Sequence, residues 1–508
     1  MSLAHVFTAN ITNLQADIIT VETDVSTSVY DMRIVGLADK AVDESKDRVI
    51  SALKNSELPN PKKQNEKVLI SLSPADIKKE GSHFDIPIAI SYLLASGYLS
   101  FRSDNKLFVG ELSLSGKVNR VKGIIAIMQS AKKKGIEEVY VPKENEEEAA
   151  LFSDIRIYAY STLFDLVGHL LSEQDEALNK RIEKSKRVFP ESKRPDYYLD
   201  FEDIIGQDLA KRALLIASLG GHNIALYGAP GTGKTMLARA FISLLPKLTL
   251  DEIIEVSSIH SLAGTGKGLI TYPPFRTPHH TSSFVSLVGG GTNPKPGEIT
   301  LAHRGVLFLD EFPEFDQKAI EALRQPLEEG TVTVSRAKGT STFPASCIVI
   351  AAMNPCPCGY LTSAQRICTC SARDIAKYHK KLSGPIVDRI DLWVPVEFID
   401  HELLTHGRKG ASTAELQEKR DTAVSFAIKE GRTEKNRNIS IKNIEKTVLL
   451  SDKARDTLSL LAKKGNISPR VYHKMIKVAR TIADLEQSHE VHPSHVLEAF
   501  QYRQTFFE

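Results

Sequence analysis

Eight consecutive residues near the middle of the chain have the types and spacing of a phosphate-binding loop. They read Gly228-Ala229-Pro230-Gly231-Thr232-Gly233-Lys234-Thr235. Glycines let the backbone turn tightly around an anion, and the start of the following helix adds partial positive charge. In this pattern Lys234 reaches the outer phosphates and Thr235 offers a hydroxyl to Mg²⁺. We therefore predict a site for a nucleoside triphosphate, the alternative being a glycine-rich turn without a ligand.

The loop has the flanking elements that it needs. Residues 223–227 are an apolar run that predicts a strand, and a helical pattern begins at Lys234. Further along, the apolar run 305–309 predicts a buried strand that ends in Asp310 and Glu311. Beside a phosphate loop, Asp310 would bind Mg²⁺ and Glu311 would activate the water that attacks the γ-phosphate. The alternative is a strand that ends in an acidic surface turn.

Three more polar residues are candidates for the same site. Asn354 follows a third apolar strand, predicted at 348–353, where an amide can position the water or sense the γ-phosphate; otherwise it is an ordinary turn residue. Arg389 and Arg470 are candidate charges that would complete the site. Isolated arginines are commonly solvated or salt-bridged, so spacing alone does not assign them.

Four of the five cysteines lie close together in sequence, at Cys356, Cys358, Cys368 and Cys370. Four thiolates in this pattern suit tetrahedral Zn²⁺, and we predict a structural zinc site. The Cys-x-Cys spacing is tighter than the usual two-residue spacer, so unmetallated thiols and a redox role stay open. The fifth cysteine, Cys347, lies in a predicted strand and is expected in the core.

Composition sets broad limits. A chain of 508 residues suggests roughly three domains. The net charge of +2 argues neither for nor against a nucleic-acid partner. The start of the chain lacks a signal-peptide pattern, and the longest apolar stretch, 86–99, is interrupted and too short to span a bilayer. We expect a cytoplasmic protein with no membrane partner.

The pattern along the chain predicts four parts. Residues 1–171 alternate strand and helix patterns and predict a mixed α/β domain. Residues 172–200 form a basic linker, which is either solvated or in contact with nucleic acid. A nucleotide-binding core follows at 201–397, with the cysteines as an insertion. Residues 398–508 are predicted to be helical, with one apolar helix face formed by Ile476, Ala479, Ile482, Ala483 and Leu485.

A β-hairpin is predicted between the acidic strand and the Asn354 strand. Residues 329–343 alternate apolar and polar side chains on both sides of a short basic tip that contains Arg336 and Lys338. From the residues alone, this is either a functional hairpin or an exposed edge that its charges keep soluble.

This order of parts resembles the AAA+ ATPases. The resemblance implies that Asn354 is a first sensor, Arg389 a finger donated to a neighbouring subunit, and Arg470 a second sensor. The opening segment 201–207 resembles the stretch that contacts adenine. Segments 275–281, 287–291 and 296–299 resemble the magnesium-chelatase-like branch. Within the first of them, the pair His279-His280 favours a structural or interface role over metal binding, because adjacent histidines point in different directions.

Over its whole length the chain resembles the ComM family, also called YifB, which comprises bacterial proteins linked to DNA uptake and recombination. The shared features include Met-Ser-Leu-Ala at the start and the segments 34–37 and 44–48. The resemblance implies an α/β fold with a P-loop AAA+ core, an N-terminal Lon-protease-like α/β domain and a C-terminal helical lid. It implies an ATP- and Mg²⁺-dependent homo-oligomeric ring, a hexamer, that moves branched DNA as a branch-migration helicase. In such a ring Arg336 and Lys338 would contact the DNA backbone in the pore.

Two other functions are weighed against this one. A magnesium-chelatase motor subunit would insert Mg²⁺ into a tetrapyrrole, but such motors lack the protease-like first domain. A proteolytic assembly would need a Ser–Lys dyad. Aligning 76–85 and 116–123 with Lon-type proteases puts His83 at the nucleophile and Ile125 at the lysine, and only a shifted register would recruit Ser82 and Lys122. We therefore predict a proteolytically inactive binding or oligomerisation module.

Overall fold

The computed structural model describes residues 3–12, 14–173, 181–186, 198–265, 268–291, 295–336, 339–361, 366–382, 384–399, 410–465 and 467–503. The chain divides into two compact units, described here one at a time. The first contains residues 1–191 and 250–271, and the second contains 192–249 and 272–508. The excursion at 250–271 was not indicated by the sequence pattern. The domain bounds inferred from sequence stay predictions.

The first unit is built on a seven-stranded mixed sheet with the strand order β3-β4-β2-β1-β5-β8-β9. Strands β1, β2 and β4 pair antiparallel, and the outer pairs are parallel. The strands are β1 (Leu3–Thr12), β2 (Gln15–Thr27), β3 (Asp31–Val35), β4 (Glu66–Ser73), β5 (Lys106–Phe108), β6 (Glu111–Leu112), β7 (Val118–Asn119), β8 (Glu138–Pro142) and β9 (Arg156–Tyr160).

Seven helices belong to the first stretch of this unit, and they confirm the predicted alternation of strands and helices. They are α1 (Lys40–Asp43), α2 (Ser45–Asn55), α3 (Pro61–Gln64), α4 (Asp85–Ala95), α5 (Ile124–Lys134), α6 (Glu146–Ala149) and α7 (Leu163–Ser172). Helix α4 is buried along almost its whole length, which explains its uniformly apolar sequence. Among the described residues, no helix is both long and apolar enough to cross a membrane.

The start of α4 is fixed by a buried ion pair. Asp85 is fully buried, and its carboxylate accepts hydrogen bonds from Arg48 Nε at 2.8 Å and Arg48 Nη2 at 2.9 Å. The backbone N–H of Leu112 adds a third at 2.9 Å. A buried carboxylate without such partners would be strongly destabilising. Segments 44–48 and 76–85, both quoted above for family resemblances, therefore meet in one structural contact.

The predicted linker is partly docked on the first unit. Lys184 forms an antiparallel bridge with Tyr158 on the edge strand β9, and Ser185 N–H donates to the carbonyl of Ile157 at 2.9 Å. The Ser185 hydroxyl also donates to Glu146 at 2.8 Å. Residues 181–186 thus extend the sheet edge, whereas Lys180, Arg187, Lys193 and Arg194 lie outside the described residues.

The second unit is built on a five-stranded parallel sheet with the order β11-β14-β17-β10-β18. Its strands are β10 (Ile224–Tyr227), β11 (Phe275–Arg276), β14 (Val306–Leu309), β17 (Ile348–Met353) and β18 (Leu392–Pro395); two short pairs lie outside it, β12 (Gly289–Gly290) with β13 (Lys295–Pro296) and the hairpin β15 (Thr331–Arg336) with β16 (Gly339–Pro344). The carboxyl ends of parallel strands share one edge, so residues that follow β10, β14 and β17 are brought together there.

The helices of the middle region surround this sheet, with one exception. They are α8 (Asp208–Gly220), α9 (Lys234–Phe241), α10 (Leu250–Ala263), α11 (Phe284–Val288), α12 (Glu298–Leu301), α13 (Gln317–Glu321), α14 (Arg324–Glu329), α15 (Ala372–Lys380) and α16 (Gly384–Val387). Helix α10 is the exception, because it belongs to the first unit, where Ser261 accepts a hydrogen bond from Gly123 N–H at 3.0 Å.

The C-terminal region is helical, as predicted. Its helices are α17 (Thr413–Lys429), α18 (Ile444–Thr447), α19 (Asp452–Lys464), α20 (Pro469–Leu485) and α21 (Pro493–Gln501). On α20 the predicted apolar face is buried at Ile476, Ala479, Ile482 and Ala483, with Leu485 packed at its margin. These residues share one hydrophobic core with the parallel sheet, which joins the C-terminal helices to the sheet.

The hairpin predicted at 329–343 is present as β15 and β16, which pair antiparallel from Thr331 with Pro344 to Arg336 with Gly339. Val332, Val334 and Phe343 are buried, so the base of the hairpin packs into the unit. Lys338 lies outside the described residues, and for Arg336 the structure describes the backbone alone.

Candidate nucleotide-binding site

The phosphate loop lies between β10 and α9, as the motif requires. Gly231 and Gly233 have φ angles of 78° and 91°, a region that residues with side chains rarely adopt. A Cβ atom on Gly228 would lie 2.2 Å from the carbonyl oxygen of Val396, so only glycine fits there. The backbone therefore forms the close turn that can surround a phosphate group.

Lys234 is held across the mouth of this loop. Its Nζ donates to the carbonyl oxygens of Gly228 at 2.8 Å and Ala229 at 2.9 Å, and to Asn354 Oδ1 at 3.3 Å. Burial lowers the pKa of Lys234 to about 8, against the opposing influence of Asp310. A partly desolvated ammonium of this kind binds an anion strongly, because little water has to be removed from it first.

The acidic residues lie at the end of β14, two strands from the loop strand. Thr235 Oγ1 donates to Asp310 Oδ2 at 3.3 Å, and Glu311 N–H donates to Asp310 Oδ1 at 3.0 Å. Glu311 has a φ angle of 50°, so the chain turns sharply as soon as the strand ends. A hydroxyl and a carboxylate in contact are a fitting ligand pair for Mg²⁺.

Strand β17 explains how Asn354 reaches the site. It lies between β10 and β14 in the sheet, so the residue that follows it emerges between Lys234 and the two acids. The structure thus brings Lys234 into hydrogen-bond contact with Asn354, and Thr235 with Asp310. The sequence predicted these residues singly, and the strand order is what places them together.

His280 is a site residue that sequence reasoning missed. Its Nδ1 lies 3.0 Å from Glu311 Oε2, and its ring packs against that of His279 at a centroid distance of 4.2 Å and an interplanar angle of 33°. The expectation that the two adjacent histidines point in different directions is therefore wrong, because the turn after β11 brings their rings together. The residue follows β11, which is the sheet neighbour of β14. Spacing in the sequence could not reveal the pair, because it depends on the order of strands.

Two family segments meet beside His280. Arg276 makes a double hydrogen bond with Glu298, through Nε at 2.7 Å and Nη2 at 2.8 Å. This contact joins segment 275–281 to segment 296–299, and β12 pairs with β13 between them. The residues shared with the magnesium-chelatase-like branch therefore hold β11, the strand that precedes His280, in place.

The segment expected to lie near adenine closes against the phosphate loop. Gln207 has a φ angle of 58°, and its side-chain amide donates to the carbonyl of Glu397 at 2.6 Å and to that of Thr232 at 3.5 Å. Phe201, at the start of the segment, is fully buried. This placement agrees with the expected contact, which stays a prediction.

Arg389 and Arg470 are brought together, and their shared partner is Glu328. Each donates through Nη2 to the same oxygen, Glu328 Oε1. The side chain of Arg389 is 4% exposed, whereas that of Arg470 is 42% exposed. Burial opposes ionisation of Glu328, but Arg470 and Arg389 together hold its pKa below the ordinary value. The roles predicted for the two arginines stay predictions, and Glu328 was not predicted from sequence.

The four clustered cysteines form a group that can hold a metal ion. Their sulfur atoms, on Cys356, Cys358, Cys368 and Cys370, all lie within 4.8 Å of one another. Cys358 Sγ accepts from the backbone N–H groups of Tyr360 and Thr369, which lower its pKa to about 5. Such hydrogen bonds orient and stabilise thiolate ligands. Cys347 is buried apart from this group, as expected, and burial raises its pKa to about 12.

Three family models match the chain and together span most of it. The one described as "Magnesium chelatase, subunit ChlI" matches residues 200–404, "Subunit ChlI of Mg-chelatase" matches 21–145, and "Magnesium chelatase, subunit ChlI C-terminal" matches 410–503. Competence protein ComM of Haemophilus influenzae is 41% identical over 511 residues, covering 99% of this chain and 98% of that protein. The chain belongs to the ComM/YifB magnesium-chelatase-like family.

Other relatives show how far this likeness extends. The uncharacterized protein YifB of Salmonella typhimurium is 38% identical over 510 residues, covering 99% of this chain and 97% of that protein. The magnesium-chelatase 67 kDa subunit of Chlorobaculum parvum is 28% identical over 161 residues, which are 30% of this chain. Membership of the ComM/YifB family and the parallel sheet confirm the predicted α/β fold with a P-loop AAA+ core.

Proposed function

We propose that this chain is an ATP hydrolase that forms a ring and uses ATP to move DNA during recombination. The observation that carries the proposal is the meeting of Lys234, Thr235, Asp310 and Asn354 at one edge of the parallel sheet. Family membership supports ATP hydrolysis, since the family is of the AAA+ type. The name of the Haemophilus relative, competence protein ComM, supports a role with DNA.

The side chains divide the work of hydrolysis between them. Lys234 binds the outer phosphates, and the hydroxyl of Thr235 with the carboxylate of Asp310 would hold Mg²⁺. The ion supplies positive charge against the phosphate oxygens. Glu311 accepts a proton from the attacking water, and Asn354 orients that water or contacts the γ-phosphate. Asp310, Glu311 and Asn354 directly follow strands of the sheet, and Lys234 and Thr235 begin α9, so regular elements position the backbone of all five residues.

Membership of an AAA+ family supports a ring. Arg389 is proposed as a finger for the nucleotide of the next subunit, a role that requires it to leave Glu328, and Arg470 as a second sensor on the lid helix α20. An arginine that acts in a neighbour makes assembly necessary for full turnover. We propose a homo-oligomer, a hexamer, closed by this head-to-tail contact.

DNA is proposed to pass through the centre of the ring. The hairpin β15–β16 ends just before β17, whose last residue is followed by Asn354. One short strand, β17, therefore connects the residue proposed to contact the γ-phosphate with the hairpin, so a shift of Asn354 can move the hairpin. Arg336 and Lys338 at the tip are proposed contacts to DNA phosphates, which would make binding independent of sequence and sensitive to salt.

A magnesium-chelatase motor is the alternative function. Its support is the family models, which carry that description, but similarity to a named chelatase subunit extends over only 30% of the chain. The contacts of Ser82 do not favour a protease as the alternative function, because its hydroxyl donates to the carboxylate of Glu111. A serine paired with a carboxylate does not form the serine–lysine dyad that the chemistry needs.

We also propose that the four cysteines hold one structural Zn²⁺. Four sulfur ligands within reach of one point, with backbone N–H groups donating to them, suit tetrahedral zinc.

The experiment for the function as a whole is ATP turnover by the purified chain with and without forked DNA. A motor predicts turnover that rises with DNA, whereas a chelatase subunit predicts turnover that is indifferent to it.

A further inference from the structure

The cysteine loop, residues 356–370, begins two residues after Asn354, and its described residue Gly359 lies against the phosphate loop. The structure describes its parts 356–361 and 366–370. Gly359 has a φ angle of 84°, and its N–H donates to the carbonyl of Cys356 at 2.9 Å. A Cβ atom on Gly359 would lie only 2.6 Å from Cδ of Pro230. The backbone of the metal-binding turn is therefore in close contact with the phosphate loop.

Helix α15, which follows the cysteines, contacts the residues that precede them. His379 Nε2 donates to the carbonyl of Pro355 at 2.9 Å, and Tyr378 hydrogen-bonds with the backbone of Asn354. Asn354 in turn accepts from Lys234 at 3.3 Å. The residues before the cysteines, the helix after them and the loop residue that faces them all contact parts of the nucleotide site. The conformation of the cysteine loop is therefore coupled to that of the site.

From these contacts we propose that a soft divalent cation bound by the four cysteines is a clamp on the nucleotide site. The inference rests on the proposed ATP-binding function and deepens it. The bound ion fixes the turn at Cys356–Gly359, and the turn holds Pro230 from one side and Asn354 from another. Loss of the metal leaves the ligands of the phosphate free to shift, and small displacements of positioning groups have large effects. Occupancy of the cysteines therefore sets the affinity for ATP.

The experiment compares metal content with nucleotide affinity in the full-length chain. Metal is measured by elemental analysis, and affinity by titration with a fluorescent ATP analogue in the presence of Mg²⁺. Metal is removed with a mercurial thiol reagent and a chelator, excess dithiol then frees the cysteine thiols, and all three reagents are removed. Affinity is measured with Mg²⁺ restored, before and after Zn²⁺ is added back. We expect about one zinc per chain, a loss of affinity of about tenfold or more on stripping, and recovery with Zn²⁺.

Three variants separate the contact from the metal. C368S/C370S removes half of the ligands and should lose both the metal and the tight binding of ATP. G359A keeps all four cysteines, so it should retain the metal yet bind ATP weakly, because its Cβ collides with Pro230. C347A removes the cysteine that lies outside the cluster and should retain both. Fluorescence of Trp393, which is buried in β18, reports whether each protein is folded.

The outcomes are distinguishable. Folded, metal-free protein that binds the analogue as tightly as the zinc-loaded form would overturn the clamp. Parent protein that binds ATP tightly without stoichiometric metal would overturn both the zinc assignment and the clamp. Parent protein that holds a different metal, such as iron, would overturn the zinc assignment, and stripping that metal would test the clamp in the same way. Parent protein that holds zinc but binds no nucleotide would instead refute the proposed function and the clamp with it. If C368S/C370S does not fold, stripping and reloading of the parent decides the question.

Discussion

His280 Nδ1 lies 3.0 Å from Oε2 of Glu311, the residue proposed to activate water. The histidine follows an outer strand of the sheet, and the acid follows the strand beside it. Glu311 is 59% exposed at its side chain, so few other groups hold it in one position. The pair therefore gives the proposed base a defined orientation from outside the phosphate loop.

Replacing His280 tests this orientation. H280A should lower the rate of ATP turnover by about tenfold, while the affinity for ATP stays unchanged, because the histidine contacts Glu311 rather than the phosphate loop. H280N, which retains a side-chain N–H, should recover part of the rate. The comparison variant is H279A: His279 is hydrogen-bonded to Thr281 at 2.8 Å and packs against the ring of His280, so its removal should lower the rate less than removal of His280 itself. Equal rates for H280A and H279A would contradict the assignment.

The phosphate loop and the acidic strand make separable predictions. K234A removes a charged hydrogen-bond donor to the phosphates, so ATP affinity should fall about 10- to 100-fold.

E311Q keeps the shape of the side chain but cannot accept the proton, so binding should persist while turnover falls by about 100-fold or more. Full turnover by E311Q, measured as phosphate release, would refute its role.

The burial of Lys234 predicts a pH effect on binding. Its pKa is lowered to about 8, and a bound phosphate favours the charged form. Near pH 8.5, ATP binding should therefore take up protons, and below about pH 7 it should not. Because the folded-state pKa of Lys234 is lowered, its partly buried charged form reduces the free energy of unfolding of the nucleotide-free protein below about pH 8. This loss of stability disappears as the pH rises from about 8 toward the ordinary lysine pKa of 10.5. Calorimetry in two buffers of different ionisation enthalpy measures the uptake, which K234R should abolish.

Glu328 carries a prediction of its own. E328Q removes the carboxylate charge that Arg389 and Arg470 share, so the two guanidinium groups should separate and turnover should fall about tenfold, with ATP affinity retained. Because the carboxylate is half-exposed, the free energy of unfolding should fall by only about 1 kcal/mol. E329Q is the neighbouring control, since Glu329 accepts a hydrogen bond from Gln325. A larger effect for E329Q than for E328Q would count against the shared pair.

The hairpin tip is tested by its two basic residues. R336A/K338A should weaken DNA binding to all sequences and flatten its dependence on salt by about one unit of slope per lost contact. ATP turnover without DNA should persist, because neither residue belongs to the phosphate site. Unchanged DNA affinity at every salt concentration would exclude the hairpin and make the basic residues between 180 and 194 the next candidates.

Local patterns predicted the elements of the site but not its contacts. The loop, the acids and Asn354 could be found because each follows an apolar strand or precedes a helix. His280, Glu328 and Gly359 could not, because their importance depends on the order of strands and on packing between distant segments. The placement of α10 in the first unit escaped prediction for the same reason, since the sequence of a helix does not specify which of two cores receives it.

The account as a whole is tested most directly by ATP turnover of the purified chain in the presence of forked DNA. Turnover should rise severalfold over the DNA-free rate. E311Q should show almost no ATP turnover, either with DNA or without it. R336A/K338A should keep the DNA-free rate and lose the increase. Turnover that depends on Glu311 but is unaffected by single-stranded, duplex and forked DNA would contradict the proposal of a DNA motor.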